Sequence, residues 1–104
     1  MDFQGYDDLK KVLADKDQIK ALNKFSDLLY DTVNKILALE LQDDPNFVLE
    51  SIRNQKNVLE RAEWLSDALK GDDLDYDNIG IQVDEFVLHL KKLEEFYKNN
   101  TQIN

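Results

Sequence analysis

The chain contains no cysteine, one histidine, one proline and three glycines in 104 residues. Without cysteine there is no disulfide, no thiolate nucleophile and no Cys-ligated zinc or iron–sulfur site. One histidine excludes a His-rich metal site and most His-based proton relays. So few glycines and prolines argue against a strand-and-turn protein, which needs such punctuators at short intervals. No apolar run approaches the roughly 20 residues of a membrane span. The first eleven residues show no basic segment followed by an apolar one, so no secretory leader is expected. The expectation is a cytoplasmic protein without a membrane partner.

Positive charge is also scarce. Thirteen Lys and Arg stand against 22 Asp and Glu, for a formal net charge of −9. Direct binding to a phosphate backbone needs basic patches, so no nucleic-acid contact is expected. Anionic membrane surfaces are disfavoured for the same reason. The excess is uneven: residues 1–41 and 42–71 carry −2 each, and residues 72–104 carry −5. Asp72, Asp73, Asp75, Asp77, Asp84 and Glu85 supply most of it, with no base among them.

What is present is apolar residues, 42% of the chain, in helical order. That is enough for one core, so residues 1–104 read as a single domain. Phe3, Tyr6, Leu9, Val12 and Leu13 predict a short helix over about Asp7 to Ala14. Asp15 could cap a second helix, with Gln18 as its capping-box partner. That helix should run from about Lys16 to Leu41, with a stripe of Ile19, Leu22, Phe25, Leu29, Val33, Ile36 and Leu37. Leu28, Leu39 and Leu41 widen the stripe.

Asp43-Asp44-Pro45 ends the second helix and starts a third. Asp44 is the expected N-cap, and Pro45 suits the first helical position. The third helix should reach Lys70 on a seam of Val48, Ile52, Leu59, Ala62, Leu65 and Leu69, with Gln55 as a register or boundary residue. Gly71 is the expected left-handed cap. In the fourth helix, Ile79, Val83, Phe86, Leu90, Leu93 and Tyr97 form an a/d heptad seam. Its start is expected near Asn78, with Asp77 as N-cap, and fraying from about residue 99. The fold class predicted is all-α: an antiparallel three-helix bundle with a short additional N-terminal helix, four helices in total.

The acids Asp73, Asp75 and Asp77 sit at alternating positions, with Asp84 at the twelfth position of the same window. This stretch of about a dozen residues partly resembles an EF-hand calcium loop. That resemblance implies Asp73, Asp75, Asp77 and Asp84 as a metal set. The pattern departs at three places: Asn78 replaces the turn glycine, Gly80 replaces the aliphatic residue, and Asp84 replaces the bidentate glutamate. The reading from the residues themselves is a solvated acidic turn that caps helices or meets a partner.

His89 has Glu85 four residues before it, an available helical ion pair. Glu60, Glu63 and Asp67 share a face but lack the Glu-x-x-His motifs of a di-metal bundle. No phosphate loop, nucleophile elbow or HExxH occurs. No catalytic residue, enzyme activity or cofactor is therefore expected. Trp64, beside the seam, is of the type most enriched at binding hot spots.

The function expected is a small acidic, non-enzymatic protein-binding module for a partner with a basic surface. Inhibitors, immunity-type proteins, DNA mimics and chaperones fit that description. Asp72, Asp73, Asp75, Asp77, Asp84, Glu85 and Trp64 are its candidate contact residues. The Lys- and Asn-rich, glycine-poor composition points to a bacterial or phage source. The first alternative is an assembly subunit: Phe96 beside Tyr97 and Leu39 beside Leu41 leave apolar edges for a homodimer. The second is a divalent-cation-responsive helical protein, as the EF-hand resemblance of the acidic loop implies.

Overall fold

The computed structural model describes residues 3–37 and 44–101. Helix accounts for 88% of them, with no strand among the described residues. The elements are α1 (Gln4–Ala14), α2 (Gln18–Leu37), α3 (Pro45–Leu69) and α4 (Tyr76–Thr101). They form a rod of 48 × 21 × 19 Å. Successive helices run antiparallel. Tyr6 of α1 meets Thr32 of α2, Gln18 of α2 meets the end of α3, and Ser51 of α3 meets Tyr97 of α4.

The N-terminal helix is more than an addition to three others. It packs on both α2 and α4, while α3 packs on the same two from the opposite side. Tyr6 of α1 and Phe25 of α2 both meet Phe86 of α4 edge-on, at 5.6 and 6.1 Å between ring centroids. Edge-to-face pairs align the positive ring edge with the negative face of the neighbour. Because α1 is only 11 residues long, the far end of the rod is built from α2, α3 and α4 alone. There Phe47 stacks on Phe96 at 5.0 Å and meets Tyr97 edge-on.

The fourth-helix seam is as expected. Ile79, Val83, Phe86, Leu90, Leu93 and Tyr97 are all buried. Each large apolar side chain taken from water contributes about 1.5–3 kcal/mol. The third-helix seam needs correcting. Ile52 and Leu59 are 55% and 52% exposed, and Val48 is half-buried. The buried line is Phe47, Ser51, Val58, Ala62, Leu65 and Leu69. The seam is displaced by one residue in its first half, because a serine occupies a core position. Ser51 is tolerated there since its hydroxyl pairs with the Tyr97 hydroxyl. Gln55 donates to the same Tyr97 oxygen at 2.7 Å, which gives this half-buried amide its partner.

The second-helix stripe shifts similarly. Ile19 is 76% exposed, and the buried positions are Ala21, Phe25, Thr32 and Ile36. Leu22, Leu28 and Leu29 pack on that core half-buried. Leu39, Leu41 and Asp43 lie outside the described residues, as does the side chain of Leu37.

Helix ends differ from expectation in ways the packing explains. The first helix starts at Gln4, because Gly5 and Tyr6 are drawn into the core. Asp15 closes α1 rather than opening α2, and Lys16 turns the chain with a φ of 57°. Asp17 caps α2 by accepting from the Lys20 amide at 3.1 Å. This frees Gln18 from a capping box. Its Nε2 donates to the carbonyls of Leu69 and Gly71 at 2.9 and 2.8 Å. Terminal carbonyls of α3 are thus satisfied from α2. Gly71 accordingly does not adopt the left-handed conformation expected of it, and the reversal falls on Asp73, at φ 50°. Asp44 caps α3 as expected, accepting from the Asn46 amide at 2.9 Å, with Pro45 in the first turn. The last helix continues to Thr101, past the expected fraying point, and residues 102–104 lie outside the described residues.

Candidate protein-docking surface

The acidic turn joins α3 to α4 at one end of the rod. Asp75 is the capping residue of α4, since its Oδ1 accepts from the Asn78 amide at 3.1 Å. The helix therefore starts at Tyr76, earlier than expected, and Asp77 falls in its first turn. A carboxylate there faces the positive end of the helix dipole. Asp72 and Asp73 are exposed on the turn itself.

This geometry bears on the calcium-loop resemblance. An EF-hand loop must wrap a cation with backbone that is still turning. Here the window from Tyr76 to Asp84 is regular helix. Among the described residues, no group of three His, Asp or Glu side chains converges as a metal site.

Asp84 and Glu85 part company. Neighbouring positions on a helix point about 100° apart. Asp84 faces α1, where it pairs with Lys10 at 2.9 Å. Both partners are largely exposed, so the pair contributes at most about 1 kcal/mol. Glu85 lies toward α3, close enough to His89 to favour its charged form. Among the described residues no cation sits at ion-pair distance from Asp72, Asp73, Asp75, Asp77 or Glu85.

Between α3 and α4 lies an open cleft of about 420 Å³, lined by Asn57, Glu60, Arg61, Trp64, Gln82 and His89 over Leu65. Helical spacing puts Asn57, Arg61 and Trp64 on one side, and Gln82, Glu85 and His89 on the facing side. Trp64 is 46% exposed, so its indole borders both the core and the cleft. Burial is the main influence on His89 and lowers its pKa below the usual 6.5. The cations of Arg61 and Lys92 push in the same direction, and Glu85 opposes them. The imidazole is thus held neutral near neutral pH.

The cleft offers an aromatic face, a guanidinium, two amides and a carboxylate. It has no nucleophile paired with a base. An aromatic face beside such polar groups can take an amphipathic side chain. The structure therefore brings Trp64 and Glu85 to one pair of helices, places Asp72, Asp73 and Asp75 at its end, and turns Asp77 and Asp84 to the α1 side, around a hollow they share with Lys10 and Lys16. Sequence reasoning missed Asn57 and Gln82. Their spacing to Trp64 and His89 was legible, but uncharged amides gave no sign that two helices would meet there.

Compared with protein-family models, curated proteins and solved structures, the chain has no match.

Proposed function

We propose that this chain is a small acidic, non-enzymatic protein-binding module. It docks on a protein with a basic surface through the α3–α4 face. The observation that supports this reading is that Asp72, Asp73, Asp75 and Glu85 stand without a cation at ion-pair distance among the described residues, on the turn and helices that carry half-exposed Trp64. Unpaired like charges repel and cost the isolated fold stability. A basic partner converts that cost into attraction, which speeds and orients encounter. Trp64 then supplies the apolar anchor that charge alone lacks. Inhibition, immunity, DNA mimicry and chaperoning are all forms of such masking or escort. The reading keeps the cytoplasmic placement and the bacterial or phage source expected from composition.

The test is capture from bacterial lysate on the immobilised chain at low and high salt, beside a variant with Asp72→Asn, Asp75→Asn and Glu85→Gln. The expected result is a protein with a basic surface, retained at low salt and weakened in the variant. Its association rate should fall about tenfold or more, with a flatter salt dependence. Dissociation should respond instead to Trp64→Ala. Equal retention by parent and variant would refute the surface.

A further inference from the structure

The neighbouring face of the rod, between α2 and α3, has a different character. Ile19 and Tyr30 of α2 are 76% and 74% exposed, and Ile52 and Leu59 of α3 are more than half exposed. Between them a small apolar pocket of about 80 Å³ is lined by Val33, Ile36, Gln55 and Leu59. A contiguous apolar surface of this kind on a small domain marks an interaction site.

The charge pattern identifies what covers it. At 100° per residue, Lys20, Lys24, Asp27, Asp31 and Lys35 all fall on the α1 flank of α2 or its outer edge. The flank toward α3 carries Ile19, Leu22, Ser26, Tyr30 and Val33, without a single charge. On α3 the same spacing gives Val48, Ile52, Gln55, Leu59 and Ser66 toward α2, with Lys56 and Glu63 left at the rim and Lys70 at the far end of the Ile52 line. In a chain that is 34% charged, the two flanks around the pocket carry no charge, and Lys70 stands at the Ile19 end.

A basic partner gains nothing from such a face. A second copy of this chain, itself at −9, is repelled by nearly every other surface of the first. A two-fold interface sets one patch against its own copy, so a charged patch meets its own sign across the axis. An uncharged apolar patch is self-compatible. We infer that the chain is a homodimer, with the α2–α3 face of one copy packed on the same face of the other. This leaves the acidic turn and the Trp64 cleft free on both protomers.

Sedimentation equilibrium on the full chain, from micromolar to millimolar concentration, tests this. The expected mass is twice the 12.2 kDa of one chain. Added sodium chloride should tighten the dimer, because it screens repulsion between two acidic protomers and strengthens apolar burial. Ile52→Lys with Leu59→Lys should weaken the dimer ~100-fold or more, by desolvating four cations at its centre, two from each copy. Lysine lowers the net negative charge, so general repulsion cannot be what breaks the contact. Both sites are exposed, so the variant should keep its helical circular dichroism; Ile19→Lys gives a second, independent probe on α2. Trp64→Ala should leave the dimer intact. A monomeric parent at every concentration, a dimer weakened by salt, or a dimer that survives the lysine variants would each overturn the inference. None of these outcomes bears on capture through α3 and α4.

Discussion

The hydroxyls of Tyr6 and Thr32 share a 2.7 Å hydrogen bond inside the core, joining α1 to α2 across 26 residues of sequence. It explains why a threonine rather than Val33 occupies the buried position of α2. An isolated helix as short as α1 is marginal in water, so it depends on this bond and on its apolar face. Tyr6→Phe should cost about 1–2 kcal/mol, since it leaves the Thr32 hydroxyl without this partner. Tyr6→Phe combined with Thr32→Val should recover most of that loss. A urea-denaturation double-mutant cycle measures the coupling. Burial also raises the Tyr6 pKa above its usual 10.0, against the Thr32 hydrogen bond and with help from Asp31. Above pH 10 the unfolded chain loses this proton while the folded chain keeps it. Stability should therefore fall as pH rises from that point, more steeply in the parent than in Tyr6→Phe.

His89 gives the opposite slope. Its folded pKa lies below 6.5, so the unfolded chain takes up the proton first as pH falls. The stability it contributes is present above pH 6.5 and is lost on acidification toward the folded pKa. The parent should lose more melting temperature over that window than His89→Gln. By proton NMR, Arg61→Ala should move the imidazole midpoint up and Glu85→Gln should move it down.

Two glycines on helices should respond to alanine to different degrees. A Cβ at Gly5 would overlap Leu28 Cδ2, so α1 approaches α2 closely there. Leu28 is half-buried and can turn its terminal methyl aside, so in Gly5→Ala that rearrangement offsets part of the gain in helix propensity. A Cβ at Gly80 would meet nothing within 4 Å. Gly80→Ala should stabilise by about 0.5–1 kcal/mol. Thermal melts should show the larger upward shift for Gly80→Ala; an equal or larger one for Gly5→Ala would refute the close approach.

The acidic turn separates capping from metal binding. Asp75→Asn keeps an acceptor for the Asn78 amide and should change stability by less than about 0.5 kcal/mol. Asp75→Ala removes the cap and should cost about 1 kcal/mol. Millimolar calcium should raise the melting temperature of parent and Asp75→Asn equally, as screening does. A saturable rise confined to the parent would establish a cation site instead.

Helical periodicity and end signals determined four helices, the Asp44–Pro45 start of α3 and every buried position of the α4 seam. Those features rest on local spacing and on side chains reaching their own backbone, so sequence alone expresses them. Tertiary structure decided which of several apolar stripes faced inward. Ile19, Ile52 and Leu59 read as core because they are aliphatic and periodic. They lie outside because Thr32 and Ser51 found buried hydroxyl partners on other helices, and only that pairing makes a polar residue a better core occupant. Gln18 shows the same dependence. From the sequence it is a capping-box residue, and in the fold it serves the carbonyl end of a helix about 50 residues away. The separation of Asp84 from Glu85 was legible as divergence along a helix. Glu85 beside His89 was legible as well, from their four-residue spacing. That Asp84 would meet Lys10 depended on which helix flanks α4, and burial of the shared core set that arrangement.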